Sequence, residues 1–71
     1  MTYELTVDEK RNIVNGQMRS VSYRKYNAEV ELIVENASTV LNETRISEIG
    51  AEIEKCDAQL LALTAELDRL V

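Results

Sequence analysis

Residues 46–70 read ISEIGAEIEKCDAQLLALTAELDRL, and most of the architecture follows from them. Apolar side chains fall at Ile46, Ile49, Ile53, Cys56, Leu60, Leu63, Leu67 and Leu70, with gaps that alternate between three and four. On a helix this seven-residue repeat makes one narrow stripe, which must bury against other helices. The rest of the chain has to supply some of that cover, and other chains the remainder.

At 71 residues the chain holds one domain at most, and so short a chain struggles to bury enough apolar surface alone. A single cysteine excludes an internal disulfide, and the lack of histidine argues against a metal site. Partner chains are the remaining way to complete a core. There is no proline or tryptophan and there are only two glycines, a composition that suits long helices.

Upstream, Thr6-Val7-Asp8-Glu9 reads as a capping box, with Asp8 and Glu9 also complementing the helix dipole. After an extended lead-in over 1–5, helix one is expected over 6–35. Its apolar residues divide into two stripes. Val7, Val14, Met18, Val21, Ala28 and Leu32 share an arc of ~80° at 100° per residue. Tyr23, Tyr26, Val30, Ile33, Val34 and Ala37 occupy a second arc, confined to the second half. A simple two-helix hairpin needs one stripe, so the second calls for another neighbour. Asn15-Gly16 is a turn signal inside this helix. The alternative to a continuous helix is a short helix to Val14, a turn, and an extended piece through Val21, Ser22 and Tyr23.

Asn36-Ala37-Ser38-Thr39 is the one cluster of small polar residues between the periodic segments, which puts the turn at 36–41. Helix two then runs over 42–70, with Ser38, Thr39 or Asn42 as candidate caps. The expected fold is all-α: a single long antiparallel helical hairpin whose second helix is a heptad, coiled-coil element, and which oligomerises. With the turn centred near Thr39, Arg24 and Lys25 should lie near Glu52 and Glu54, and Lys10 and Arg11 near Glu66 and Asp68. Exposed pairs of this kind bias register more than they drive folding. A parallel self-pair of helix two would set Glu52 against Asp57, which repel. Isoleucine at both Ile46 and Ile49 leans toward assemblies of three or more helices.

The candidate interface residues are Ile46, Ile49, Ile53, Leu60, Leu63, Leu67 and Leu70 of helix two, and Tyr23, Tyr26, Val30 and Ile33 of helix one. Arg19, Arg24 and Lys25 surround the tyrosines, and tyrosine and arginine are favoured at interface hot spots. The plainer reading of that cluster is a half-buried stripe with snorkelling cations. Cys56 sits in the buried stripe and reads as a small hydrophobe, with no neighbouring motif to activate it. Glu48, Glu52, Glu54 and Asp57 read as a solvated face, since di-metal bundles need histidines as well.

No phosphate-cradling loop, nucleophile–base pair or zinc spacing is present, and without histidine the commonest general acid/base is missing. A catalytic role, a cofactor and a small-molecule substrate are therefore not expected. The net charge of −5 argues against nucleic acid and anionic membranes as partners. The longest apolar runs, Leu60-Leu61-Ala62-Leu63 and Leu32-Ile33-Val34, are too short to cross a bilayer. Met1 to Leu5 shows no secretory pattern. Asn36-Ala37-Ser38 and Asn42-Glu43-Thr44 fit the glycosylation pattern only by coincidence in such a chain.

The segments Thr6-Val7-Asp8-Glu9-Lys10-Arg11-Asn12-Ile13-Val14 and Tyr23-Arg24-Lys25-Tyr26-Asn27-Ala28-Glu29-Val30-Glu31-Leu32 resemble short reading frames of tailed bacteriophages, whose second half is likewise an Ala/Leu-rich helix. The resemblance implies a small helical virion or assembly component, found in the virion or in the cytoplasm of the bacterial host. Its partners would be further copies of itself or other proteins of a larger assembly. It carries over no functional residue. The alternative function is a small phage-encoded regulator that binds and inhibits a host protein, with Tyr23, Tyr26 and Arg24 as the binding face. A toxin–antitoxin partner is a third reading, and it would need a basic cognate chain.

Overall fold

In the computed structural model, which describes residues 3–70, the chain is two helices packed against each other, α1 (Val7–Asn36) and α2 (Glu43–Arg69). Among the described residues there is no strand. The expected lead-in is irregular over 3–6, while Met1 and Thr2 lie outside the described residues. The hairpin measures 59 × 21 × 14 Å, close to the ~45 Å of a thirty-residue helix plus its turn and lead-in.

Both helix starts are fixed by side chains. The Glu9 amide donates to the Thr6 hydroxyl (3.1 Å), and the Thr6 amide donates to the Glu9 carboxylate (3.0 Å), which completes the capping box. Tyr3 adds a hydroxyl donated to the same carboxylate at 3.4 Å. Of the three candidate caps for α2, Asn42 takes the role: its side chain accepts from the Arg45 amide at 3.0 Å. The connection needs no left-handed residue, since no described residue has positive φ. Ala37 stays right-handed, and its amide bonds back to the Ile33 and Val34 carbonyls.

α1 runs through Asn15-Gly16 without interruption, so the short-helix alternative is ruled out. A mid-helix glycine costs ~1 kcal/mol relative to alanine. Val14 on one side of Gly16 and Val21 on the other are both buried in the hairpin, and packing of this sort overrides a weak local preference.

The core is a single seam. Val14, Val21 and Ala28 are buried from α1 at intervals of seven, and Ile49 and Cys56 from α2 at the same interval. Half-buried residues extend the seam: Arg11, Met18, Lys25 and Leu32 on α1, Ile46, Ile53, Leu60, Leu63 and Leu67 on α2, and Leu70 at the C-cap of α2. The apolar stripe of 46–70 is thus directed at α1 within the same chain. Val7, placed in the first stripe of helix one, is exposed, because α2 runs out opposite it.

The charge register differs from the expected one in the middle of the hairpin. Lys25 bonds Asp57 at 2.6 Å and Arg24 donates to Gln59 at 3.3 Å, in place of Glu52 and Glu54. Near the turn Arg45 instead pairs with Glu31, so the offset differs along the seam and is set by which long side chains reach each other across its rim. Lys10 does lie near Glu66, where its charge helps to lower the carboxyl pKa. Arg11 instead pairs with Asp8 on its own helix at 3.2 Å.

Candidate interaction surface

The feature with most chemical consequence is the outer face of α1. Tyr23 is 73% exposed, Tyr26 68%, Ile33 68% and Val34 61%, and Val30 and Ala37 are exposed with them. At the turn Val40 and Leu41 continue the apolar surface. Single exposed apolar residues are ordinary, but a contiguous patch rimmed by polar groups marks a contact surface. All four α1 residues expected at an interface, Tyr23, Tyr26, Val30 and Ile33, lie on this face. The seven expected from α2 lie on the opposite side of the fold, in the seam with α1, where Ile49 is buried and the other six are half-buried.

The basic–aromatic cluster expected around the tyrosines divides in two. Arg24 and Lys25 turn inward to Gln59 and Asp57, and Lys25 also reaches Glu29 at 3.9 Å. Lys25 occupies a position that faces α2, as Val21 and Ala28 do, which explains why its aliphatic stem is half covered while its ammonium reaches the rim. The hydrogen bond that its ammonium donates to the Asp57 carboxylate, and then that group's charge, raise the Lys25 pKa. Arg19, four and seven residues before the tyrosines, shares their face of α1 by helical spacing.

A shallow groove of about 370 Å³ lies along the seam near the turn, lined among others by Ala28, Glu31, Arg45, Glu48, Ile49 and Glu52. It forms where the small Ala28 side chain leaves room beside Ile49. Its charges are already matched, since Arg45 pairs with Glu31 across the hairpin and with Glu48 at 3.5 Å. Glu52 accepts a weak bond from the Cys56 thiol at 3.8 Å. Among the described residues no group of three metal-type ligands gathers anywhere. Cys56 itself is completely covered by its own chain.

Comparison with protein-family models, curated proteins and solved structures returns no match. The surface has to be read from its own chemistry. Among the described residues, no helix is long and apolar enough to cross a membrane. An outer face of two tyrosines and three branched aliphatic side chains, mostly free of charge, is suited to another protein surface. Periodicity identified this face; charge placement already set Arg24 and Lys25 toward the second helix, and the structure changes their partners from Glu52 and Glu54 to Gln59 and Asp57.

Proposed function

We propose that this chain is a non-catalytic assembly protein, a small helical component that oligomerises or docks on a larger structure, with a tailed-phage particle as that structure. The seam between α1 and α2 is then a short antiparallel coiled coil that holds the hairpin rigid. The observation that carries the reading is the exposure of Tyr23, Tyr26, Ile33 and Val34 on a helix whose opposite side is already packed. Among the described residues five apolar side chains are buried, which leaves little core to spare, so an uncovered second stripe is best explained by a partner. The phage setting rests on the resemblance of segments 6–14 and 23–32 to tailed-phage reading frames.

The regulatory alternative would use Tyr23, Tyr26 and Arg24 together against a host enzyme. It is weakened because the Arg24 guanidinium is directed to Gln59 and away from the tyrosine face.

Copy number separates the two. In purified particles of a phage carrying this reading frame, quantitative mass spectrometry should find the chain at a fixed ratio to the major structural proteins, and Leu63→Asp should abolish both folding and incorporation. Absence from particles, or normal incorporation of a folded Leu63→Asp variant, overturns the assembly reading.

A further inference from the structure

The outer stripe of α1 runs through Arg19, Tyr23, Tyr26, Val30, Ile33 and Ala37 at the alternating gaps of any helical stripe, with Val34 beside it. Its two ends differ in chemistry: a cation and two tyrosines toward one end, aliphatic side chains and a helix C-terminus toward the other. From that complementarity we propose that the face is covered by a second copy of the same chain, with α1 crossing the partner's α1 antiparallel about a two-fold axis near Ala28. The inference rests on the assembly reading and specifies one of its contacts.

In this pairing Tyr23 packs on the partner's Ile33 and Tyr26 on the partner's Val30, and each contact occurs twice. Large rings meet branched aliphatic side chains in the 23/33 and 26/30 layers, so both fit in one seam. A parallel arrangement would instead stack tyrosine on tyrosine and set Arg19 against the partner's Arg19. The antiparallel one brings Arg19 to the partner's Ala37, at the C-terminal end of its α1. That end carries no basic residue of its own in the last turn, and the partial negative charge of a helix C-terminus favours a cation. Among the described residues, Arg19 has no ion-pair partner within the hairpin.

Charge elsewhere on the face is compatible with bringing two identical surfaces together. The stripe is bordered by Ser20, Ser22, Asn27, Val34 and Asn36, and the one charged neighbour, Glu29, is answered by Lys25 on its own helix. Depletion of charge is what distinguishes the centre of an interface from the remaining surface. The other outer face is less suitable: α2 presents Ala51, Ala58 and Ala65 with Leu61 as its single large exposed apolar residue.

Overlap of residues 19–37 along the two helices extends about 27 Å, with the two hairpin turns at opposite ends.

The test uses charge at the central layer, with the whole chain and light scattering behind a sizing column. Tyr26 and Val30 are both partly exposed in the hairpin, so charging them leaves the seam intact. Wild type should run at 16.2 kDa, twice the 8.1 kDa of one chain. Tyr26→Lys and Val30→Glu should each run as one chain with unchanged helical circular dichroism, the self-association Kd rising at least ~100-fold. Mixed in equal amounts, the two variants should recover the two-chain mass, because lysine of one meets glutamate of the other. A one-chain wild type, a larger oligomer, a two-chain Tyr26→Lys variant, or a mixture that stays monomeric overturns the pairing. Particle composition is a separate readout: a monomer that still enters particles removes the self-pairing alone, and a two-chain species absent from particles removes the assembly reading.

Discussion

Lys25 and Asp57 form the closest ion pair linking the middle of the two helices, at 2.6 Å, from a position on α1 that an apolar side chain would otherwise occupy. The series Val14, Met18, Val21, Lys25, Ala28 and Leu32 all face α2, and lysine is its one charged member. A charged residue at a core-facing position specifies register, since a shifted pairing would leave its ammonium among apolar neighbours. The pair, partly exposed at the rim, therefore biases which residues of α2 lie opposite α1.

Reversing one partner tests this. Lys25→Glu should set two carboxylates together, lower the thermal midpoint and broaden the transition. Lys25→Glu combined with Asp57→Lys should recover most of the loss. Lys25→Leu should cost little stability while permitting more than one helix register. Thermal melts followed by circular dichroism measure the first two effects, and amide NMR spectra with doubled peaks would report the third. No difference between the single and the double reversal would remove the pair as a register device.

Gly16 and Gly50 lie inside α1 and α2, and a methyl group added at either would meet nothing within 4 Å. Neither has positive φ, so neither conformation requires glycine. Gly16→Ala and Gly50→Ala should each stabilise by about 1 kcal/mol through helix propensity and a less disordered unfolded chain, raising the melting midpoint by roughly 4–8 °C in a domain of this size. A fall in midpoint at either position would reveal a close contact that the isolated hairpin lacks.

How far the sequence could be read depended on residue type. The stripe from Ile46 to Leu70 and the outer stripe from Tyr23 to Ala37 are apolar, and helical periodicity located both. The Thr6–Glu9 capping box was equally plain, because its chemistry is local. Lys25 and Arg11 share the core-facing side of α1 with Val14 and Val21, and a pattern built from apolar residues passes over them. The partners of Arg24 and Lys25 were misplaced by about one turn because levels counted from the turn do not say which long side chains meet across the rim of the seam. Asn15-Gly16 carried a true turn propensity that lost to packing on both sides of it.

Acid should loosen the start of α1. The Thr6 backbone amide, and then the Thr6 hydroxyl network, hold the Glu9 carboxyl below its ordinary value of 4.5. A carboxyl whose pKa is lowered in the folded chain contributes stability above its unfolded value, and that contribution is lost as pH falls through the lowered one. The midpoint should thus decline as pH is brought below about 4.5, part of the decline arising here and part at Glu66, which the Arg69 guanidinium depresses similarly. Glu9→Gln keeps an acceptor for the Thr6 amide and should make this part of the acid dependence disappear. An unchanged pH profile in that variant would assign the acid sensitivity elsewhere.

Cys56 offers a direct measure of whether the hairpin opens. Its side chain is wholly covered where α2 packs on α1, so a thiol reagent can reach it only after the seam separates. Labelling in native buffer should be slow and should accelerate with denaturant in parallel with the loss of helical signal, as expected when modification samples an open state. Ile49→Ala removes the neighbouring buried anchor at a cost of about 2–5 kcal/mol and should speed labelling at least tenfold. If Cys56 in the native protein instead reacts as fast as a free thiol, the seam is open in solution and the hairpin forms only when the outer face of α1 is covered.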